Sequence, residues 1–165
     1  MMTGKADRKI NILFLCTGNT CRSPIAKALF EDMLSRSELK HRFRVESAGT
    51  TAAEGSPASQ FAVEVCREHG QELSSHNSKT ITDKLIADSD LILVMQASHK
   101  AYLSQSRSAD PKKIRLLSEF ATGVDKDKDI EDPLGGTKEQ YELTFTQIKN
   151  SLEGLLVFLT EKYGL

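Results

Sequence analysis

The chain has 165 residues, 39% of them hydrophobic and 27% charged, a composition typical of one globular domain. Its 22 basic and 23 acidic side chains nearly cancel, so no overall field attracts nucleic acid or an anionic membrane. No apolar stretch approaches the ~20 residues that span a bilayer, and the opening MMTGKADRK is polar. We therefore expect a cytoplasmic protein that binds neither nucleic acid nor membranes.

The first predicted elements are a buried strand and a helix joined by a short loop. Residues 11–16, NILFLC, form an apolar run without strict alternation, which is typical of a strand buried on both faces. Ser23 and Pro24 have the pattern of a helix N-cap followed by the first helical position, and apolar residues at helical spacing follow them. The next stretch, RFRVESAG at 42–49, predicts a second strand that stops at Gly49.

The rest of the chain continues this alternation of helices and strands. The predicted elements are a helix from Ser56-Pro57 to Gly70, a short helix over 82–88, a strand over 90–96, a helix over 98–105 and a strand over 114–120. Residues 121–136 have little apolar content and predict a long functional loop. One broad apolar face predicts a final helix from Lys138 to Tyr163.

Alternating strands and helices imply right-handed crossovers and a parallel, doubly wound α/β sheet of four strands. We expect residues 1–9 to be a disordered polar tail and residues 10–165 to form a single domain. Ligands of such sheets bind beyond the carboxyl ends of the strands, at the topological switch point. The loops at that edge follow Cys16, Gly49, Gln96 and Phe120, so we expect the functional site there.

The loop after the first strand, TGNTC, has the features of an anion-binding nest. Gly18 permits a positive φ angle, and Asn19 is one of the few other residues that tolerate it. A loop curled in this way points successive N–H groups inward, and the helix N-terminus adds positive potential. Arg22 offers a planar fork for two oxygens, so the expected ligand is a tetrahedral oxyanion.

Cys16 lies at the base of this predicted nest. Helix N-termini and cationic neighbours lower a cysteine pKa to about 3.5–7.5, so we expect a thiolate at neutral pH. The hydroxyl of Ser23 can donate a hydrogen bond to that sulfur. A thiolate beneath a bound phosphoryl group is a nucleophile, and the pattern of Cys, five residues, Arg and Ser therefore predicts phosphoryl transfer.

The string CTGNTCRSP resembles the phosphate-binding loop C-x-G-N-x-C-R-S of the low-molecular-weight protein tyrosine phosphatases. SAGT at 47–50, His76, LILVM at 91–95 and Asp132-Pro133 follow in the order and spacing of that family. The resemblance covers the chain from Asn11 onward. It implies a three-layer, flavodoxin-like fold of the phosphotyrosine protein phosphatase I-like type, and an enzyme that needs no metal or other cofactor.

The resemblance also implies roles for individual residues. Cys16 is the expected nucleophile, Arg22 binds the phosphoryl oxygens, and Asp132 is the general acid and then the base. The residues expected to bind phosphate are Thr17, Gly18, Asn19, Thr20, Cys21, Arg22 and Ser23. A hydrogen-bonding network that holds the loop in shape is expected from Asn19, Ser23, Ser47 and His76. The implied partners are phosphorylated proteins, and the expected state is a monomer or weak dimer.

Two positions favour the bacterial protein-arginine phosphatases within this family. Tyrosine phosphatases typically have a bulky aliphatic residue where this chain has Thr20, and aromatic residues after Asp132-Pro133, where it has Leu134-Gly135-Gly136-Thr137. Threonine at the first position and a D-P-x-G-G run at the second resemble the protein-arginine phosphatases. A threonine hydroxyl can contact a polar phosphoguanidinium, and the missing aromatic wall weakens a preference for a phenol. Protein phosphoarginine is thus the first predicted substrate, with protein phosphotyrosine as the alternative. Arsenate reduction ranks third, because residues 71–105 lack the additional cysteine pair that it requires.

The other two cysteines have different predicted roles. Three cysteines are too few and odd in number for a disulfide framework. Cys21 is either structural or the partner of Cys16 in a reversible disulfide that protects the nucleophile from irreversible oxidation. Cys66 lies on the apolar face of a predicted helix and is expected to be a core residue.

Overall fold

The computed structural model describes residues 8–164. Its strands are β1 (Ile10–Cys16), β2 (Phe43–Gly49), β3 (Leu91–Val94) and β4 (Ile114–Leu116). Its α-helices are α1 (Arg22–Ser35), α2 (Gln60–Glu68), α3 (Asp83–Asp88), α4 (Ala97–Ser106) and α5 (Lys138–Tyr163). Short 3-10 helices occupy Pro111–Lys113, Leu117–Phe120 and Gly123–Asp125. Among the helices within 8–164, none combines the length and apolar composition needed to cross a membrane.

The four strands form one parallel sheet in the order β2-β1-β3-β4, as predicted. Side chains of β1 alternate between two apolar cores, with Phe14 in one and Leu13 and Leu15 in the other. The first core also contains residues of α1, α2 and α5, and the second contains residues of α3 and α4. Both faces of β1 are therefore covered, which explains its unbroken apolar run.

Helix α5 has the predicted bounds, and its two ends show why. Thr137 and Gln140 form a capping box, in which each side chain accepts a hydrogen bond from the other's backbone N–H. At the other end Gly164 adopts the left-handed conformation with φ of 65°, a common helix stop. Between them, Gly154 allows a close approach to the backbone of Phe120, because a Cβ at Gly154 would lie 1.8 Å from that carbonyl oxygen.

Two predicted elements are wrong in extent. The strand expected over 114–120 ends at Leu116, where the side chain of Glu119 accepts a hydrogen bond from the Leu116 N–H and starts a 3-10 turn. Helix α2 begins at Gln60 and not at the Ser56-Pro57 pair. The backbone of Ser56 exchanges hydrogen bonds with Ser78 instead, so this serine joins two loops and caps no helix.

The predicted tail over residues 1–9 falls mostly on residues 1–7, which lie outside the described residues. Within the described part, Arg8 forms a salt bridge of 2.7 Å with Asp90. The predicted division of the chain into a tail and one domain stays a prediction.

Candidate active site

The candidate site lies in the loop between β1 and α1, at the carboxyl edge of the sheet. This loop borders a cavity of about 90 Å³. The residues that line it are Cys16, Thr17, Gly18, Thr20, Cys21, Arg22, Asp132 and Leu134. The predicted nucleophile, anion-binding arginine and general acid thus border one cavity, although more than a hundred residues separate Cys16 from Asp132 in the chain.

Cys16 is the last residue of β1 and is only 2% exposed. Its Sγ lies 2.9 Å from the Oγ of Ser23 and accepts a hydrogen bond of 3.3 Å from the N–H of Asn19. Burial raises the pKa of the Cys16 thiol, while the bonds from Ser23 and Asn19 and the charge of Arg22 lower it by less. The predicted lowering of the Cys16 pKa is therefore wrong, because it left out desolvation.

Ser23 does not serve as the predicted helix N-cap. Helix α1 already begins at Arg22, with Cys21 in the capping position and no side-chain cap. The Ser23 hydroxyl instead contacts Cys16 and accepts a hydrogen bond of 2.8 Å from the side-chain amide of Asn19. The Ser-Pro pair therefore marks the first turn of the helix, while its hydroxyl belongs to the site.

Asn19 is the centre of the hydrogen-bonding network. It has a φ of 55°, in the left-handed region, and is completely buried. Its side-chain amide donates to Ser23 and, at 3.0 Å, to Ser47, and its backbone oxygen lies 2.7 Å from Nε2 of His76. Burial lowers the pKa of His76, which favours a neutral ring with Nε2–H as the donor to Asn19. The four residues of the predicted network are thus in contact.

Two glycines have different roles at this loop. Gly18 does not adopt the positive φ that we predicted, and a Cβ there would meet only Thr20 Oγ1, at 3.7 Å. The left-handed turn of the loop is made by Asn19 alone. By contrast, a Cβ at Gly49 would lie 2.4 Å from the carbonyl oxygen of Thr17. The end of β2 therefore supports the loop through a contact that only glycine permits.

The loop offers several hydrogen-bond donors that the protein does not use. The backbone N–H groups of Gly18, Thr20 and Cys21 have no acceptor within the part of the chain that the structure describes. In the same part, Nε of Arg22 is buried and has no partner. Such donors around one cavity form an anion nest, and they match the oxygens of a phosphoryl group.

The guanidinium of Arg22 is 1% exposed and is held by fixed neighbours. Its Nη1 donates to Oε1 of Gln96 and to the carbonyl oxygen of Ile130, both at 2.8 Å. Its Nη2 donates to Oγ1 of Thr17 at 3.4 Å and lies 3.6 Å from the carboxylate of Asp132. A buried cation held in this way is oriented before any anion binds.

Asp132 lies at the mouth of the cavity, with 40% of its side chain exposed. Its Oδ1 accepts a hydrogen bond of 3.1 Å from the N–H of Leu134. Two residues earlier, the N–H of Ile130 donates to the carbonyl oxygen of Met95, which anchors the loop to the end of β3. The carboxylate thus has contact with water and with the cavity, as proton transfer to or from a ligand requires.

The other two cysteines differ in their surroundings. Cys21 is buried, and its Sγ lies 3.2 Å from Oγ of Ser59 and 3.4 Å from the phenolic oxygen of Tyr141. Burial raises the pKa of Tyr141 to about 12, so the phenol keeps its proton. Cys66 is a core residue, as predicted, and burial raises its pKa to about 12.

The sequence analysis did not identify His99 as a residue of the site. His99 is only 4% exposed, and its Nε2 lies 2.9 Å from Oγ1 of Thr17. Its position just after the third strand, at the edge where we expected the site, was the one signal in the sequence. The neighbouring Gln96 was noted only as a strand end, although it binds Arg22.

Comparisons with known proteins agree with this geometry. The family model described as low molecular weight phosphotyrosine protein phosphatase matches residues 11–164. A protein-arginine-phosphatase of Geobacillus stearothermophilus is 40% identical over 92% of this chain and 94% of its own. The low molecular weight protein-tyrosine phosphatase A of Mycobacterium tuberculosis is 33% identical over 93% of each chain. The solved structure of a YwlE arginine phosphatase mutant, with a phosphorylated active site serine, has a TM-score of 0.84 and 34% identity over 92% of this chain and 96% of its own.

Proposed function

Since this chain belongs to the low molecular weight phosphotyrosine protein phosphatase family and is a cysteine-dependent protein phosphatase, we propose that it hydrolyses protein phosphoarginine. The relatives named as protein-arginine phosphatases support this choice. Protein phosphotyrosine is the alternative substrate, in line with the relatives named as tyrosine phosphatases. The cytoplasmic location and the monomeric or weakly dimeric state stay predictions.

The lining of the cavity is the observation that carries the choice of phosphoarginine. A phosphoguanidinium has N–H groups and a positive charge close to phosphorus, and both Thr20 and Asp132 line the cavity with oxygen atoms that accept hydrogen bonds. Within the described residues, no aromatic side chain lines this cavity to stack on a phenyl ring. Leu134, 63% exposed at the mouth, offers an apolar contact to the methylenes of an arginine.

In the first proposed step, the phosphoryl group binds to the loop N–H donors and to Arg22. Burial raises the pKa of Cys16, and in this scheme the thiol passes its proton to an oxygen of the bound phosphoryl group. Sγ of Cys16 then attacks phosphorus while the bond from phosphorus to the guanidine nitrogen breaks. Asp132 donates a proton to that nitrogen, and a cysteinyl-phosphate forms.

In the second step, the Asp132 carboxylate takes a proton from a water molecule that attacks the cysteinyl-phosphate. The bond between sulfur and phosphorus breaks, the sulfur of Cys16 takes its proton back from the phosphate, and inorganic phosphate leaves. Arg22 and the N–H donors stabilise the charge of the phosphoryl oxygens in both steps. The phosphorylated active site serine of the related YwlE mutant supports a covalent intermediate of this kind.

Replacing Thr20 by isoleucine tests the substrate class. We expect the ratio of kcat/KM for a phosphoarginine peptide over a matched phosphotyrosine peptide to fall by about 10-fold, since the hydroxyl is one hydrogen-bond partner of a charged group. Thr20→Ser is the matched control, because it keeps the hydroxyl and should keep most of the ratio. An unchanged ratio in Thr20→Ile contradicts the role of Thr20. A wild-type ratio that favours phosphotyrosine contradicts phosphoarginine itself.

We also propose that Cys21 protects Cys16 from irreversible oxidation. Hydrogen peroxide oxidises the Cys16 thiol to a sulfenic acid and is itself reduced to water, and the Cys21 thiol then displaces the sulfenic hydroxyl as water to form a disulfide. Both thiols are free, buried and located on one short loop, which supports this step.

Replacing Cys21 by serine should make oxidative inactivation permanent. After a peroxide pulse, we expect dithiothreitol to restore most of the wild-type rate but little of the Cys21→Ser rate, each relative to its own untreated value. The reason is that a sulfenic acid without a resolving thiol oxidises further. Cys66→Ala, which changes a core thiol on α2 and not in the loop, should recover like the wild type. Equal recovery of Cys21→Ser would show that Cys21 does not protect the site.

A further inference from the structure

Four side chains and a backbone N–H form a closed ring of hydrogen bonds behind the loop. Arg22 donates through Nη1 to Gln96 and through Nη2 to Oγ1 of Thr17. That Oγ1 lies 2.9 Å from Nε2 of His99, and Nδ1 of His99 accepts a hydrogen bond of 3.2 Å from the backbone N–H of Gln96. The ring thus connects the first turn of α4 to the anion loop.

The bond from Gln96 determines which ring nitrogen of His99 carries the proton. A backbone N–H can only donate, so Nδ1 is the acceptor and has no proton. In the neutral ring the proton is then on Nε2, which donates to Thr17. Burial, together with the charge of Arg22, lowers the pKa of His99 to about 4, so the ring is neutral at physiological pH.

The hydroxyl of Thr17 is oriented as a consequence. Its oxygen accepts from His99 and from Arg22, and these two bonds use both of its acceptor sites. The one remaining capacity is its own proton, which is left to donate to a third group. Thr17 lines the cavity, so an anion bound there is a candidate acceptor for this proton.

We propose that His99 is a positioning residue that makes the Thr17 hydroxyl an additional donor to the bound phosphoryl group. This inference rests on the proposed function of the same cavity, and it adds a side-chain donor to the backbone N–H groups of the loop. A merely structural histidine would act through Nδ1 alone, as the cap of α4. The two roles use different nitrogens and are therefore separable by mutation.

Glutamine and asparagine at position 99 separate these roles. The side-chain amide nitrogen of glutamine can take the place of Nε2 and donate to Thr17, but His99→Gln loses the acceptor for the N–H of Gln96. The side-chain oxygen of asparagine can take the place of Nδ1 and keep that cap, but His99→Asn has no donor that reaches Thr17. The measurements are the dissociation constant of inorganic phosphate by calorimetry and the melting temperature.

We expect Thr17→Val to weaken phosphate binding about 10-fold, the size of one hydrogen bond to a charged group. His99→Asn should show the same loss, and the double variant His99→Asn with Thr17→Val should lose no more than either one. His99→Gln should bind phosphate nearly as tightly as the wild type, although it melts at a lower temperature than His99→Asn.

Two results overturn the proposal. One is phosphate binding by Thr17→Val at wild-type affinity, because the hydroxyl then donates no hydrogen bond that stabilises the bound anion. The other is weaker phosphate binding by His99→Gln than by His99→Asn, because the phosphate affinity then depends on the cap of α4 and not on a donor to Thr17. Inorganic phosphate is a product of any phosphatase reaction, so neither result depends on the substrate class. A wild-type protein that binds phosphate without hydrolysing phosphoarginine would contradict only the proposed function.

Discussion

Replacing Cys16 by serine is expected to lower the turnover of para-nitrophenyl phosphate at least ~10⁴-fold, because the reaction then lacks its nucleophile. A serine hydroxyl holds its proton far more tightly than a thiol and forms an anion only rarely. It is also smaller than the thiol and can keep the contacts with Ser23 and with the N–H of Asn19. The fold and the affinity for inorganic phosphate should therefore be nearly those of the wild type.

The measurement combines initial rates with calorimetric titration of phosphate. Cys66→Ala is the matched control, since this thiol lies in the core and its removal should leave the rate close to the wild-type value. Loss of activity together with loss of phosphate binding would indicate a damaged loop, and Cys16→Ala would then repeat the test without a polar group. Retained turnover in either Cys16 variant would contradict the assignment of Cys16 as the nucleophile.

Replacing Asp132 by asparagine should lower kcat by ~10²–10⁴ on phosphoarginine and phosphotyrosine peptides, the usual range for a general acid. The loss should be smaller on para-nitrophenyl phosphate, whose leaving group departs without help from a proton. The same variant removes a negative charge 3.6 Å from Nη2 of Arg22, so phosphate should bind at least as tightly as before. A lower kcat with undiminished anion affinity is thus the expected signature.

Glu131→Gln is the control for Asp132→Asn, because it removes the adjacent carboxylate. Glu131 is exposed and does not line the cavity, so its variant should keep the wild-type kcat on all three substrates. If Glu131→Gln shows the larger loss, the general acid is Glu131. If the loss in Asp132→Asn is equal for good and poor leaving groups, Asp132 does not act as an acid.

Local patterns predicted the elements that depend on local bonds. Helix α5 was predicted from its broad apolar face, and the capping box at its start and the left-handed glycine at its end are formed by residues within a turn of each boundary. The parallel sheet followed from the alternation of apolar runs and helix signals, which needs no knowledge of distant contacts. The loop from Cys16 to Ser23 was recognisable because its nucleophile, donors and helix start are contiguous in the chain.

Contacts between distant residues account for the errors. Ser56 has the local pattern of an N-cap, but it is bound to Ser78 of another loop. The pKa of Cys16 depends on burial beneath the loop, which a helix N-terminus alone does not reveal. His99 lies 82 residues from the Thr17 that it contacts, and a single sequence contains nothing that links the two.

The left-handed backbone of Asn19 has a consequence for how this enzyme changes over evolution. Such a conformation costs ~1–3 kcal/mol, and the bonds to Ser23, Ser47 and His76 offset this cost during folding. The floor of the cavity is therefore preorganised, and a substrate spends no binding energy on ordering it. Thr20 and Leu134 at the rim take no part in that network, and the proposed function assigns substrate selectivity to this rim. If the proposed function holds, we expect a few substitutions at the rim to redirect the enzyme to another phosphorylated side chain without changing the residues beneath.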